Sequence, residues 1–216
     1  MSLNWNSYIK NYVIINSITL LASNFLKYKL ITIESCYHEN DQSAQPQNIK
    51  QAMTEDILQI GNPILRKTAK QVENISQSEI QTLIDNLMET MLEANGVGIA
   101  APQIGSPLAI VIIASRPNIR YPDAPQIEPI VMINPHILSH SEEIVLGEEG
   151  CLSVKETRGN VERYQSVTVQ YFDRQGQSHT KTYQGFVARI IQHELDHLDG
   201  VLFVDRVASE LSFSPV

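Results

Sequence analysis

The chain has 216 residues, 24 acidic against 16 basic side chains, a formal net charge of −8, and 43% hydrophobic residues. That length predicts one domain plus an appendage, and the apolar share supplies a sizeable core, which excludes disorder of the whole chain. A pI near 5.2 argues against direct nucleic-acid binding, because phosphate contacts need clustered Lys and Arg. Two distant cysteines, Cys36 and Cys151, do not make the disulfide framework of a small secreted scaffold, so a reducing, cytoplasmic location is expected.

Residues 1–52 differ in composition from the rest. Gly is absent before Gly61 and Arg before Arg66, while seven Asn fall within this stretch. The expectation is an N-terminal extension, disordered or translated ahead of a working start at Met53. Its apolar run, residues 13–26, is broken by Asn16, Ser17, Thr19, Ser23 and Asn24 and falls short of the ~20 residues of a membrane span, so no membrane association is expected. Lys10 alone precedes that run and Arg is lacking, which fits neither a secretory signal nor a standard transit peptide; an organellar address stays open.

Residues 53–216 read as a single domain. Ser76 and Glu79 have the spacing of a capping box, and Ile80, Leu83, Ile84, Leu87, Met88, Met91 and Leu92 then recur at helical spacing up to Asn95-Gly96. Apolar or alternating runs at residues 108–114, 130–133 and 167–172 predict strands, the last followed by a turn at 173–176 and a return strand near 180–183. A second helix is expected over residues 185–198, closed by Asp199-Gly200. Together these predict an α+β fold of small antiparallel sheets packed around that second helix, with the first as an amphipathic companion.

The second helix contains His193-Glu194-Leu195-Asp196-His197. At 3.6 residues per turn His197 lies about 40° around from His193 and Glu194 about 100°, so the three side chains share one sector. Two imidazoles on adjacent turns can grip one cation, and the carboxylate beside them can take a proton from a water held there. Such a site needs a third protein ligand, and beyond His197 only Asp199, Asp205 and Glu210 carry carboxylates and no His follows. Attention shifts upstream to Cys151 in Glu149-Gly150-Cys151-Leu152-Ser153, a soft anionic donor next to a glycine that permits close backbone approach. A third element, Gly96-Val97-Gly98-Ile99-Ala100-Ala101-Pro102-Gln103, lacks the spacing and Lys of a phosphate loop, but its small residues admit a substrate backbone and Gln103 offers an amide donor.

In this order the three segments resemble the peptide deformylase signature GxGxAAxQ, EGCLS and HExDH, and the wider likeness runs over residues 53–206. The resemblance implies a deformylase-like fold and hydrolysis of the N-formyl group from the N-terminal formylmethionine of newly synthesised proteins, with release of formate. It implies that Cys151, His193 and His197 bind one divalent metal ion, Fe²⁺ foremost, with Zn²⁺, Ni²⁺ and Co²⁺ as alternatives. Glu194 would be the general acid/base, Gln103 and the Leu152 N–H would stabilise the oxyanion, and Val97, Gly98, Gly150 and Arg158 would hold the substrate peptide.

Two departures stand out. Val154-Lys155 replaces the hydrophobic residue and Pro that many members carry, which predicts a different loop beside the peptide cleft. The sequence after Arg206 does not show the basic C-terminal helix that some members use at the ribosome, so a transient ribosome contact stays an open expectation. Alternatives are a metallopeptidase built on the same helix and, from another class, a structural metal clamp. A clamp prefers four protein ligands, and the sequence offers three good ones.

Overall fold

The computed structural model describes residues 53–207 and 212–213; the N-terminal run at 13–26 lies outside them. A five-stranded antiparallel sheet, in the order β1-β2-β3-β6-β7, is built from β1 (Gly98–Ala100), β2 (Ile110–Ile113), β3 (Ile130–His140), β6 (Ser166–Phe172) and β7 (Ser178–Gln184). A second sheet joins β4 (Ile144–Cys151), β5 (Val154–Tyr164) and β8 (Ser212–Phe213), also antiparallel. The helices are α1 (Ser78–Glu93) and α2 (Gly185–Leu198). This is the expected α+β architecture, and among the described residues no helix is long and apolar enough to cross a membrane.

β2 shows why its sequence is apolar without alternation. Ile110, Ile112 and Ala114 pack with Ile80, Ile84, Leu87 and Met91 of α1, whereas Val111 and Ile113 pack with Val187, Ala188, Ile190 and Ile191 of α2. Successive side chains on a strand point to opposite faces, so a sheet covered on both sides must be hydrophobic at every position. β1 follows the same rule: Ile99 joins the α1 side and Ala100 the α2 side. Each fully buried aliphatic side chain in these layers stabilises the fold by ~1.5–3 kcal/mol.

α1 ends as its sequence suggests but begins otherwise. Asn95 takes φ 51°, and the Gly96 N–H donates to Met91 O while the Asn95 N–H donates to Leu92 O, at 2.9 and 3.1 Å, a left-handed C-terminal cap. The expected capping box fails. The N-cap residue is Gln77, without a side-chain cap, and the Ser76 N–H donates to Asn74 Oδ1 at 3.1 Å. Asn74 makes its own turn there, which places Ser76 one residue too early to cap. α2 spans 185–198, and the backbone turns left-handed at Gly200, φ 73°, where a Cβ would lie 2.6 Å from the Arg66 carbonyl carbon.

The segment ahead of α1 laces the motif segments together. The Leu58 N–H donates to Gln103 O, the Ile60 N–H to Ser153 O and the Ala69 N–H to Leu198 O, at 2.7–2.8 Å. Gln59 Nε2 donates to Leu152 O at 3.1 Å.

Candidate active site

Cys151 does not stand on a loop. It closes β4, faces Val154 across a two-residue turn at Leu152-Ser153, and packs against the small core of Val154, Val161, Leu202 and Phe203. The loop expected after the motif is therefore a tight hairpin. Its irregularity lies one step on, where the register jumps from Gly150↔Arg158 to Cys151↔Val154 and Glu156 adopts φ 57°. α2 runs alongside and carries His193 and His197, both buried, their ring centroids 5.2 Å apart.

Cys151 Sγ lies 3.2 Å from His197 Nε2, and one donor atom from each of Cys151, His193 and His197 falls within 4.8 Å of the others. A four-coordinate ion with sulfur at ~2.3 Å and nitrogen at ~2.0–2.1 Å sets an S···N separation near ~3.6 Å. The donor set fits such an ion, and among the described residues no further His, Cys, Asp or Glu joins it. The electrostatics agree. Burial pushes His197 well below its ordinary value, toward the neutral form that ligation needs. Burial also works against a charge on His193, yet hydrogen bonds with Cys151 and Glu149 raise it well above normal.

Behind the donors stands a buried ion network. His193 Nδ1 lies 2.9 Å from Glu149 Oε2, which leaves Nε2 for the donor cluster. Arg163 grips Glu149 with Nε and Nη2 at 2.9 and 3.0 Å and reaches Asp196 with Nη1 at 2.6 Å. Arg189 Nη1 adds a bond to Glu149 Oε1 at 2.9 Å, and Arg206 binds Asp196. Burial pushes the Glu149 carboxyl up, but hydrogen bonds from His193 and Arg163 outweigh it and bring the value down to about 2. Sequence reading gave no role to Glu149, Arg163 or Asp196. The available signal was strand alternation, which puts Glu149 and Cys151 on one face two residues apart.

Glu194 is 4% exposed, and its Oε2 has no hydrogen-bond partner among the described residues. Burial, chiefly, raises its pKa to about 7. A Cβ on Gly98 would lie 2.4 Å from Glu194 Oε1 and 2.8 Å from Ile190 Cγ2, so only glycine lets β1 meet this carboxylate. Val97 packs on the α2 side, and its carbonyl accepts from the Ala114 N–H at 2.8 Å. Gln103, in the 3-10 turn Ala101–Ile104, is fixed at both ends: Oε1 accepts from the Ala100 N–H at 2.8 Å and Nε2 donates to Ser153 Oγ at 3.1 Å. The same Nε2 lies 3.6 Å from Cys151 Sγ, which aims the amide at the donor cluster. Gly150 pairs with Arg158 in the β4–β5 ladder, and Arg158 Nε donates to Glu148 Oε2 at 2.6 Å.

A buried HExxH helix facing a strand-borne thiol within an α+β fold defines a metallohydrolase. Comparison with known proteins narrows the class. The polypeptide deformylase family model matches residues 54–212. Peptide deformylase 2 of Nostoc sp. is 58% identical over 156 residues, 72% of this chain and 87% of that protein. Peptide deformylase 2 of Shewanella oneidensis is 46% identical over 147 residues, 68% and 81% of the two chains. A class I type b peptide deformylase of Acinetobacter baumannii, solved with Met-Ala-Ser bound, superposes with a TM-score of 0.71 at 48% identity, covering 73% of this chain and all of that one. The Thermotoga maritima peptide deformylase gives a TM-score of 0.65 at 34% identity, covering 73% and 99%. The chain belongs to the peptide deformylase family, metal-dependent hydrolases that remove the N-formyl group from nascent proteins. Membership decides against the metallopeptidase alternative.

Proposed function

We propose that Cys151, His193 and His197 hold one divalent metal ion, Fe²⁺ in the working enzyme, and that Glu194, Gln103 and the Leu152 N–H perform the deformylation with it. The convergence of the three donors on the helix that carries Glu194, whose Oε2 has no partner among the described residues, carries this reading. Bound there, the cation supplies Lewis acidity and lowers the pKa of a coordinated water toward neutrality. Glu194, with a pKa near 7, takes the proton of the attacking water at Oε2 and returns it to the amine nitrogen as the formyl C–N bond breaks. Formate and a free N-terminal amine result. The charge that grows on the formyl oxygen meets Gln103 Nε2 and the Leu152 N–H, each such donor being worth roughly 3–4 kcal/mol of barrier.

The peptide lies along Val97 and Gly98, at the start of β1, an edge strand of the five-stranded sheet, and between Gly150 and Arg158 on the hairpin. A formyl carbon bears only hydrogen where other acyl groups bear a carbon, and a narrow site excludes the larger groups by clash. The catalytic domain is taken as residues 53–216 and the location as cytoplasmic, with transient contact to the ribosome through the emerging chain. The test is formate release from a formyl-Met tripeptide by anaerobically purified enzyme, with metal quantified. Glu194→Gln should keep the metal and lose at least about 100-fold in kcat; unchanged formate release would sink the assignment.

A further inference from the structure

Residues 58–60 precede every motif of the site, yet they hold two of them together. The Leu58 N–H donates to Gln103 O and the Ile60 N–H to Ser153 O, both at 2.8 Å, so one short run of backbone joins the two segments that carry the oxyanion donors. Between those bonds stands Gln59. Its Nε2 donates to Ile57 O at 3.0 Å, which fixes the amide against its own backbone, and to Leu152 O at 3.1 Å, which ties it to the hairpin turn. A side-chain amide has two N–H groups, and both are engaged.

What Gln59 grips is the peptide group between Leu152 and Ser153. A trans peptide points its C=O and N–H in opposite directions. Here the Leu152 C=O faces Gln59, and the Ser153 N–H donates to Cys151 Sγ at 3.3 Å. Ser153 is fully buried, and its hydroxyl accepts from Gln103 Nε2 at 3.1 Å, so the turn cannot exchange these partners for bulk water. A hydrogen bond received at one end of an amide polarises it and strengthens the bond made at the other. The Gln59 side chain thus reaches the sulfur through a single peptide group, without touching it. The Leu152 N–H lies one residue back in the same two-residue turn, and its direction follows that turn.

We propose that Gln59 is a positioning residue, which through the Leu152–Ser153 peptide sets both the hydrogen bond on the Cys151 sulfur and the aim of the Leu152 N–H. A hydrogen bond to a ligating thiolate draws charge off the sulfur, makes it a weaker donor and leaves the ion that it holds a stronger Lewis acid. This role deepens the reading above and rests on Cys151 being a ligand.

The test uses the full chain loaded with Co²⁺, as wild type and as Gln59→Met, which keeps the length of the side chain and removes both N–H donors. The sulfur-to-cobalt charge-transfer band should move to longer wavelength in the variant, because a sulfur whose hydrogen bond is weakened gives up an electron more easily. With formyl-Met-Ala-Ala, kcat should fall about tenfold while KM stays within about twofold of wild type. Should Gln59→Met fail to fold, Gln59→Glu keeps length and polarity, offers Leu152 O no donor once ionised, and should move the band in the same direction. A band that stays in place or an unchanged kcat overturns the proposal; a loss confined to stability in denaturant is then the mark of a side chain that merely supports the turn. A wild type with no sulfur-to-cobalt band overturns the ligation by Cys151 instead, and this role with it.

Discussion

His193 and His197 stand on a helix whose placement follows from its own period, whereas Cys151 stands at the end of a hairpin that owes its position to partners far away in sequence. α2 buries Val187, Ala188, Ile190 and Ile191 against the large sheet, and that apolar stripe alone turns the His-Glu face toward the site. The hairpin has a much smaller core of its own, around Phe203, and is tied to α2 mainly by charge. Arg163 binds Glu149 on β4 and Asp196 on α2, and Arg189 reaches from α2 to Glu149 and to the carbonyls of Val145, Gly147 and Val161. Two walls of one site can thus be held by different physics, hydrophobic on one side and ionic on the other.

Removing a donor from the ionic wall is the severest way to break the contrast. Cys151→Ala should abolish metal binding and activity together, read as metal per chain after gel filtration and as formate release; full metal retention would show that the hairpin supplies no ligand. Next comes Arg163→Ala, which removes the buried cation shared by two carboxylates and leaves Glu149 to Arg189 and His193, and Asp196 to Arg206. It should cost ~3–5 kcal/mol in denaturant unfolding, and it should weaken metal binding about 10–100-fold by freeing the partner of His193. A loss of stability without a change in metal affinity would mean that the network holds the fold and not the ligands. Gly98→Ala probes the meeting of β1 with the hydrophobic wall. Its Cβ would strike Glu194 and Ile190, so kcat should drop about 100-fold through displacement of the carboxylate, with metal content unchanged.

The smallest effect is expected at the surface. Arg66 and Asp205 form an ion pair whose side chains are 42% and 40% exposed, and Arg66→Ala should change unfolding free energy by less than ~1 kcal/mol. The hydrogen bond from Arg66 holds the Asp205 carboxyl below its ordinary value. A depressed folded-state pKa contributes stability that is complete above the ordinary carboxylate range and is lost as pH falls through the lowered value. The variant should therefore show a slightly shallower acid limb, read by thermal melts across pH. A large effect at neutral pH would place this pair among the structural contacts, beside Arg163.

The same contrast explains what could be read without coordinates. Helix α2 was legible to the residue, because its apolar spacing and its Asp199-Gly200 stop are local signals. The donor trio Cys151, His193 and His197 was legible as two motifs in order, on Glu149–Ser153 and His193–His197. The hairpin was not: its outer residues Ile144, Val145 and Leu146 are exposed and apolar, which spoils the inside-outside alternation that marks a strand. β3 also runs on to His140, beyond the expected stop at 133, through exposed residues that pair with β6. The missed capping box at Ser76 and the overlooked network of Glu149, Arg163 and Asp196 share one cause. In each a polar side chain is claimed by a partner that no local pattern specifies.

The segment ahead of α1 has a bearing on how the enzyme is made. It emerges early from the ribosome, yet the groups that accept its hydrogen bonds, Gln103, Ser153 and Leu198, follow over the next hundred-odd residues of synthesis. Closure of so many long-range contacts is slow and must await the final helix. The catalytic pocket is accordingly among the last parts of this domain to assemble, and a copy whose His193–His197 helix has yet to emerge has no working site with which to process its own amino terminus.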